Sequence, residues 1–131
     1  MTRKLALISM DKDLLDTIVS EERDTCIGYT DIVPVPGLAL PHLGYDEDAP
    51  RIVGEFPGCQ FVMAMDKPAM KNTLCNKYPK DGFSGYVSTG AYVSQNSDIN
   101  DTVVIQKSAY ISHSVTISEF AKINVGAQVH H

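Results

Sequence analysis

From Val87 to the end of the chain, aliphatic residues recur every six positions: Val87, Val93, Ile99, Ile105, Ile111, Ile117, Ile123 and Val129. Two positions before each stands a small or β-branched residue: Gly85, Ala91, Ser97, Val103, Ala109, Val115, Ala121 and Ala127. Of the twelve Ile and Val residues from 87 onward, ten fall in these two registers, and only Val104 and Val125 do not. Residues i and i−2 of a strand share a face. Each hexapeptide therefore offers one small and one larger inward side chain, followed by a polar corner such as Ser94-Gln95-Asn96 or Ser112-His113-Ser114. A helix would need apolar spacings of three and four, and a meander would need turn residues every 8–12 positions or so. No proline follows Pro79 and no glycine lies between Gly90 and Gly126. The pattern predicts a solenoid of short stacked strands around a column of Ile and Val. The sequence stops in mid-repeat after Val129, so the expectation is an oligomer, a C-terminal continuation, or both, to cover an open strand edge.

Ahead of residue 80 the pattern is different, and all seven prolines lie there, between Pro34 and Pro79. Leu5–Ser9 reads as a buried strand. Asp13–Val19 reads as a helix with Leu14, Leu15, Ile18 and Val19 on one face, capped by Asp11 or Asp13. Thr25–Tyr29 and Gln60–Met65 read as further strands, and Lys67–Tyr78 as a second helix with Pro68 in its first turn. The Pro-, Gly- and acid-rich section Asp31–Pro57, which contains His42, reads as irregular loop with room for a short turn of helix. Strand and helix in alternation predict a small parallel α/β layer. The boundaries that follow are 1–82 for this layer and 83–131 for the coils, the latter incomplete at the C-terminus.

Composition narrows the function. The 131 residues carry a formal net charge of −5 with 11 Lys and Arg against 16 Asp and Glu, which argues against nucleic acid as a partner. Cys26, Cys59 and Cys75 form no C-x-x-C pair and read as small apolar residues rather than ligands or a disulfide framework. The apolar run Leu5-Ala6-Leu7-Ile8 is too short for a signal peptide and ends at Asp11-Lys12-Asp13. No stretch has the length of a membrane span, so a soluble cytoplasmic protein is expected. His130-His131 as an isolated pair is weak support for a metal, and no metal is expected.

The stretch Ser108–Ala127, SAYISHSVTISEFAKINVGA, resembles the bacterial nucleotide-sugar acetyltransferases of the sialic-acid O-acetyltransferase and bacillosamine N-acetyltransferase type. That family shows a histidine, one residue, a V-x-I hexapeptide, an acidic-aromatic pair and a V/P-G-A close. FVMAMDKPAMKN, Phe61–Asn72, is similar to the family's third strand and following helix. The resemblance implies a Rossmann-like α/β domain binding a sugar nucleotide, followed by a left-handed parallel β-helix with three hexapeptides per turn, assembled as a homotrimer. It implies acetyl transfer from acetyl-CoA to an amino or hydroxyl group of the nucleotide-linked sugar, with His113 as general base. Histidine suits that work because its ordinary pKa lies near neutrality. Gly126 and Lys122 are the implied coenzyme contacts, and Asp31 and Asp66 the implied substrate contacts.

The chain departs from the family at three places. Ser114 replaces the acid that follows the histidine, and Lys122 stands where a second histidine is usual. Ser9-Met10-Asp11-Lys12-Asp13 replaces the glycine-rich turn that admits nucleotide phosphates. A second reading therefore stands beside the first: a non-catalytic trimerisation or assembly module derived from such an enzyme. A third, a metal-dependent carbonic-anhydrase-like enzyme, lacks convincing spacing among His113, His130 and His131.

Overall fold

The computed structural model describes residues 2–131. Its N-terminal part is built from β1 (Lys4–Ile8), α1 (Lys12–Glu21), β2 (Thr25–Thr30), β3 (His42–Gly44), α2 (Ala49–Glu55), β4 (Gln60–Met63), α3 (Pro68–Leu74) and β5 (Phe83–Ser84). The five strands form one parallel sheet in the order β3-β2-β1-β4-β5. β1 lies at its centre, and Leu5, Ala6, Leu7 and Ile8 are all fully buried, the continuous apolar run expected of a strand covered on both faces. Leu5 and Leu7 pack with Leu14 and Ile18 of α1, whereas Ala6 and Ile8 pack with Ala49 and Ile52 of α2. The Asp11 side chain caps α1 by accepting from the Leu14 amide at 3.0 Å. Val19, expected on the apolar face of that helix, is exposed.

A strand lies where irregular loop was expected, and α2 supplies the short turn of helix that the same section allowed. β3 is an edge strand, the place where the adjoining Pro41 costs no ladder bond; the Pro41 carbonyl accepts from Tyr29 N at 3.1 Å. α2 begins with Pro50 in its first turn, where the missing N–H is no loss. His42 consequently sits on β3, half-buried, with its ring beside Tyr29 and its Nε2 2.9 Å from the Asp31 carbonyl. α3 is shorter than the expected Lys67–Tyr78. The chain leaves the helix after Leu74, and Tyr78 turns into the core against Phe61. The sheet also takes Phe83–Ser84, two residues beyond the expected boundary.

Eight two-residue strands follow: β6 (Tyr86–Val87), β7 (Tyr92–Val93), β8 (Asp98–Ile99), β9 (Val104–Ile105), β10 (Tyr110–Ile111), β11 (Thr116–Ile117), β12 (Lys122–Ile123) and β13 (Gln128–Val129). Every third strand pairs in parallel: Tyr86, Val104 and Lys122 in one ladder, Tyr92, Tyr110 and Gln128 in a second, Asp98 and Thr116 in a third. Three hexapeptides thus make one coil of a three-faced parallel β-helix. Both sequence registers point inward, where Val103, Ile105, Ala109, Ile111, Val115 and Ile117 are buried together. The corners are stitched as well as the faces. Ser108, Ser114, Phe120 and Gly126 all have left-handed backbone, with φ between 59° and 73°. Their amides bond to the corner beneath, for example Ser114 N to the Asn96 carbonyl at 2.9 Å.

Val104, an apolar residue outside the two registers, is explained by the join between the layers. It faces outward from β9 and is fully buried with Tyr86 against Leu5, Leu7 and Leu14 of the α/β layer. Gly85 marks the passage from sheet to coil. A Cβ there would lie 2.2 Å from the Val103 carbonyl oxygen, so only glycine permits the close approach. Gly85→Ala should therefore cost about 1–3 kcal/mol through forced separation of the first coil from the second, read as a lower midpoint in urea unfolding.

Glu21, at the end of α1, fastens the same join. Its carboxylate accepts from Tyr86 Oη at 2.6 Å, from Ser88 Oγ and from Thr89 N at 3.1 Å, and pairs with Arg23. Burial alone would raise its pKa, but the hydrogen bonds from Ser88, Tyr86, Thr89 and Arg23 outweigh it and bring the group down to about 2. The folded state therefore prefers the carboxylate. Its contribution is whole above the ordinary value of 4.5 and is lost as pH falls toward about 2. Glu21→Gln should cost about 2–3 kcal/mol at pH 7. In urea titrations at pH 7 and pH 3, the gap between wild type and variant should narrow at the lower pH; a gap independent of pH would contradict this account.

Candidate active site

His113 occupies the corner after β10 and is exposed. The tight bonding of its neighbours fixes its backbone: Ser112 N donates to the Val129 carbonyl at 2.9 Å and Ser114 N to Asn96. Its Nδ1 lies 3.2 Å from Ser114 Oγ, so the hydroxyl takes the place of an orienting acid. One coil further on, His131 packs against it at a tilt of 32° with ring centroids 4.2 Å apart, and His131 Nδ1 lies 3.5 Å from Ser112 Oγ. The in-register ladder produces this contact, as it produces the stacked pair Tyr92 and Tyr110 at 5.0 Å. An imidazole held at Nδ1 and open to solvent at its other edge has the form of a proton acceptor.

Asp31 follows β2 at the C-terminal edge of the parallel sheet, where open α/β sheets bind ligands. With Ser9, Thr30, Asp46, Met65 and Met70 it lines a small cleft, which continues along α3 as a hollow of about 410 Å³. Asp46 is fixed from behind by the Tyr78 hydroxyl, which also lies 2.7 Å from Thr30 Oγ1. Burial, and then the Asp46 carboxylate, push the Tyr78 phenol well above its usual range, so it stays a neutral donor. This Thr30–Tyr78–Asp46 chain was not visible in the sequence, because its members are 16 and 32 residues apart with no motif linking them.

Asp66 and Lys122 come together. The Lys122 side chain is 2 % exposed. It crosses from β12 to the α/β layer, where Nζ donates to the Asp66 carboxylate at 2.7 Å and the Ala64 carbonyl at 2.9 Å, and pairs with Asp11. All three ammonium hydrogens are thereby used, so a coenzyme contact through Lys122 would require one of these partners to be given up. Burial would raise the pKa of Asp11, but Lys122 and the Leu14 amide hold it below the ordinary value. Asp11, one of the two acids in the turn after β1, is thus paired from the coil. Gly126 is committed in the same way. Its amide donates to the Lys107 carbonyl at 3.0 Å as part of the corner stitching, leaving that N–H no bond for a coenzyme or an oxyanion. Lys71 Nζ donates to the Phe120 carbonyl at 2.8 Å; burial lowers its pKa, the nearby Asp66 carboxylate opposes that, and the Lys122 charge adds to it.

Among the described residues, no group of three His, Cys, Asp or Glu side chains is placed to hold a metal ion. Nor is any helix long and apolar enough to cross a membrane. Cys26, Cys59 and Cys75 are free thiols, and burial raises the pKa of the first two.

The sequence matches no protein-family model and no curated protein. Solved structures match the whole architecture. A His-to-Asn variant of perosamine N-acetyltransferase from Caulobacter crescentus, in complex with CoA and GDP-perosamine, aligns over 96% of this chain and 62% of its own, at 20% identity and TM-score 0.81. The acetyltransferase domain of PglB from Neisseria gonorrhoeae, in complex with acetyl coenzyme A, aligns over 100% of this chain and 66% of its own, at 16% identity and TM-score 0.82. The chain shares their fold, α/β layer and coils together, and spans a little under two-thirds of their length.

Proposed function

We propose that this chain is a subunit, or the greater part of one, of an acyltransferase that moves an acetyl group from acetyl-CoA to an amino or hydroxyl group of a nucleotide-linked sugar. The observation that carries the reading is that one alignment spans both the acceptor-type α/β layer and the coils of enzymes solved with CoA and GDP-perosamine. In this reading the coils have left-handed sense, the α/β layer is Rossmann-like, and three copies assemble in the cytoplasm with a site between neighbours. Residues 1–82 hold the sugar nucleotide, through Asp31 and Asp66, and residues 83–131 supply His113.

The chemistry follows from the corner geometry. With Nδ1–H donating to Ser114 Oγ, the Nε2 lone pair of His113 is free. The acceptor nitrogen or oxygen attacks the thioester carbonyl while its proton passes to Nε2. The C–S bond of the tetrahedral intermediate then breaks, and the imidazolium returns the proton to the departing thiolate, so the histidine ends neutral.

The commitment of Lys122 and Gly126 to bonds within the protein favours the second reading, an assembly module without its own coenzyme groove. Calorimetric titration of the 131-residue chain with acetyl-CoA separates the two. Saturable binding near one site per chain supports the enzyme. A folded chain that binds neither acetyl-CoA nor GDP-perosamine supports the assembly module.

A further inference from the structure

The geometry points to Lys122 as a positioning residue that holds Asp66 in place at the acceptor edge of the site, an inference that rests on the reading of Asp66 as a substrate contact. The two carboxylates on Lys122 differ in what else holds them. Asp11 is fixed by its cap on the Leu14 amide and by Gln106 Nε2 at 3.4 Å, so it keeps its place without the ammonium. Asp66 lies in the irregular segment between β4 and α3, its side chain is 68% exposed, and its oriented oxygen is bound by Lys122. One buried ammonium therefore sets where that carboxylate points.

The same ammonium ties the segment after β4 to the coil through the Ala64 carbonyl. Lys122 belongs to the ladder Tyr86, Val104 and Lys122, the face that docks on the α/β layer. Acceptor edge and coil are thus referred to one point, as acyl transfer between a sugar on one and a thioester on the other requires. Without the ammonium, Asp11 and Asp66 would repel, and Asp66, the less restrained of the two, would swing out toward solvent and the Lys71 charge.

Lys122→Met keeps the aliphatic stem and removes the charge, and Lys122→Arg keeps both a cation and a fork able to reach two acceptors. Exchange of the Ala64 amide, which donates to the Ile8 carbonyl at 3.1 Å and whose own carbonyl takes the Lys122 ammonium, should quicken by about tenfold or more in Lys122→Met and return toward wild type in Lys122→Arg. Calorimetry with GDP-perosamine should show Lys122→Met weakened by about 10–100-fold, to the level of Asp66→Asn, with the double variant no weaker than either. If Lys122→Met fails to fold, Lys122→Met with Asp11→Asn removes the repulsion and carries the same expectation. Unchanged exchange at Ala64 in a folded variant would overturn the inference, as would weak GDP-perosamine binding in Asp66→Asn but not in Lys122→Met. Wild-type binding in Asp66→Asn would instead overturn the substrate role of Asp66, and the positioning role with it.

Discussion

Ile111→Asp should unfold the coils, while Tyr110→Asp, one residue earlier, should leave them intact. Ile111 is fully buried in the centre of the column, packed among Ile105, Ala109, Val115 and Ile117. Replacing it removes a core side chain, worth about 2–5 kcal/mol, and places in the gap a carboxylate with no cation among those neighbours. An uncompensated buried charge adds about 3–5 kcal/mol, so the loss exceeds what a domain of this size ordinarily has in reserve. Tyr110 points outward from the same strand and is 42% exposed, so its replacement should cost about 1 kcal/mol or less, mostly lost stacking on Tyr92. Circular dichroism melts of the two variants test the register directly, because a one-residue slip reverses which face is buried. An Ile111→Asp protein that melted with wild type would show that the column is elsewhere.

The contrast between these neighbours shows why the coils were legible in the sequence. A period of six fixes which side chains share the interior, and each rung repeats the statement, so Val87 to Val129 could be read without any long-range information. The exception was informative too: Val104 breaks the pattern because its surroundings are set by another layer, not by its own coil. The α/β layer was legible at β1, α1, β2 and β4, where apolar runs are long and caps are local. It was misread at β3, where Pro41 suggested loop although it stands at an edge position that tolerates proline, and α2 was foreseen only as a short turn of helix. The site was the least legible part. His113 stood out through a motif, but the roles of Lys122 and Gly126 depend on Asp11, Asp66 and Lys107, partners that only the folded register brings close. A buried lysine and a stitched corner amide cannot be told, in sequence, from an exposed lysine and an unbonded amide.

His113→Ala should therefore be the decisive substitution for the proposed reaction, since His113 is the group named by the motif that the fold leaves open to a ligand. In the longest natural form of the chain, acetyl transfer should fall by about 10²–10⁴-fold, the usual worth of a general base. The loss should appear in kcat, because an exposed corner ring contributes little to the column or to coenzyme affinity. Thermal stability and oligomeric state should stay at wild-type values, as the Ser112 and Ser114 amide bonds that set the corner do not involve the imidazole. Ser114→Ala should fall between the two, because its hydroxyl only steadies Nδ1 at 3.2 Å and is a weaker partner than a carboxylate. Steady-state assays with acetyl-CoA and an amino-sugar nucleotide, run beside melts of each variant, separate these outcomes. Wild-type turnover in His113→Ala would remove the base assignment, and the coil corner would then be a scaffold whose histidine serves only the contact with His131.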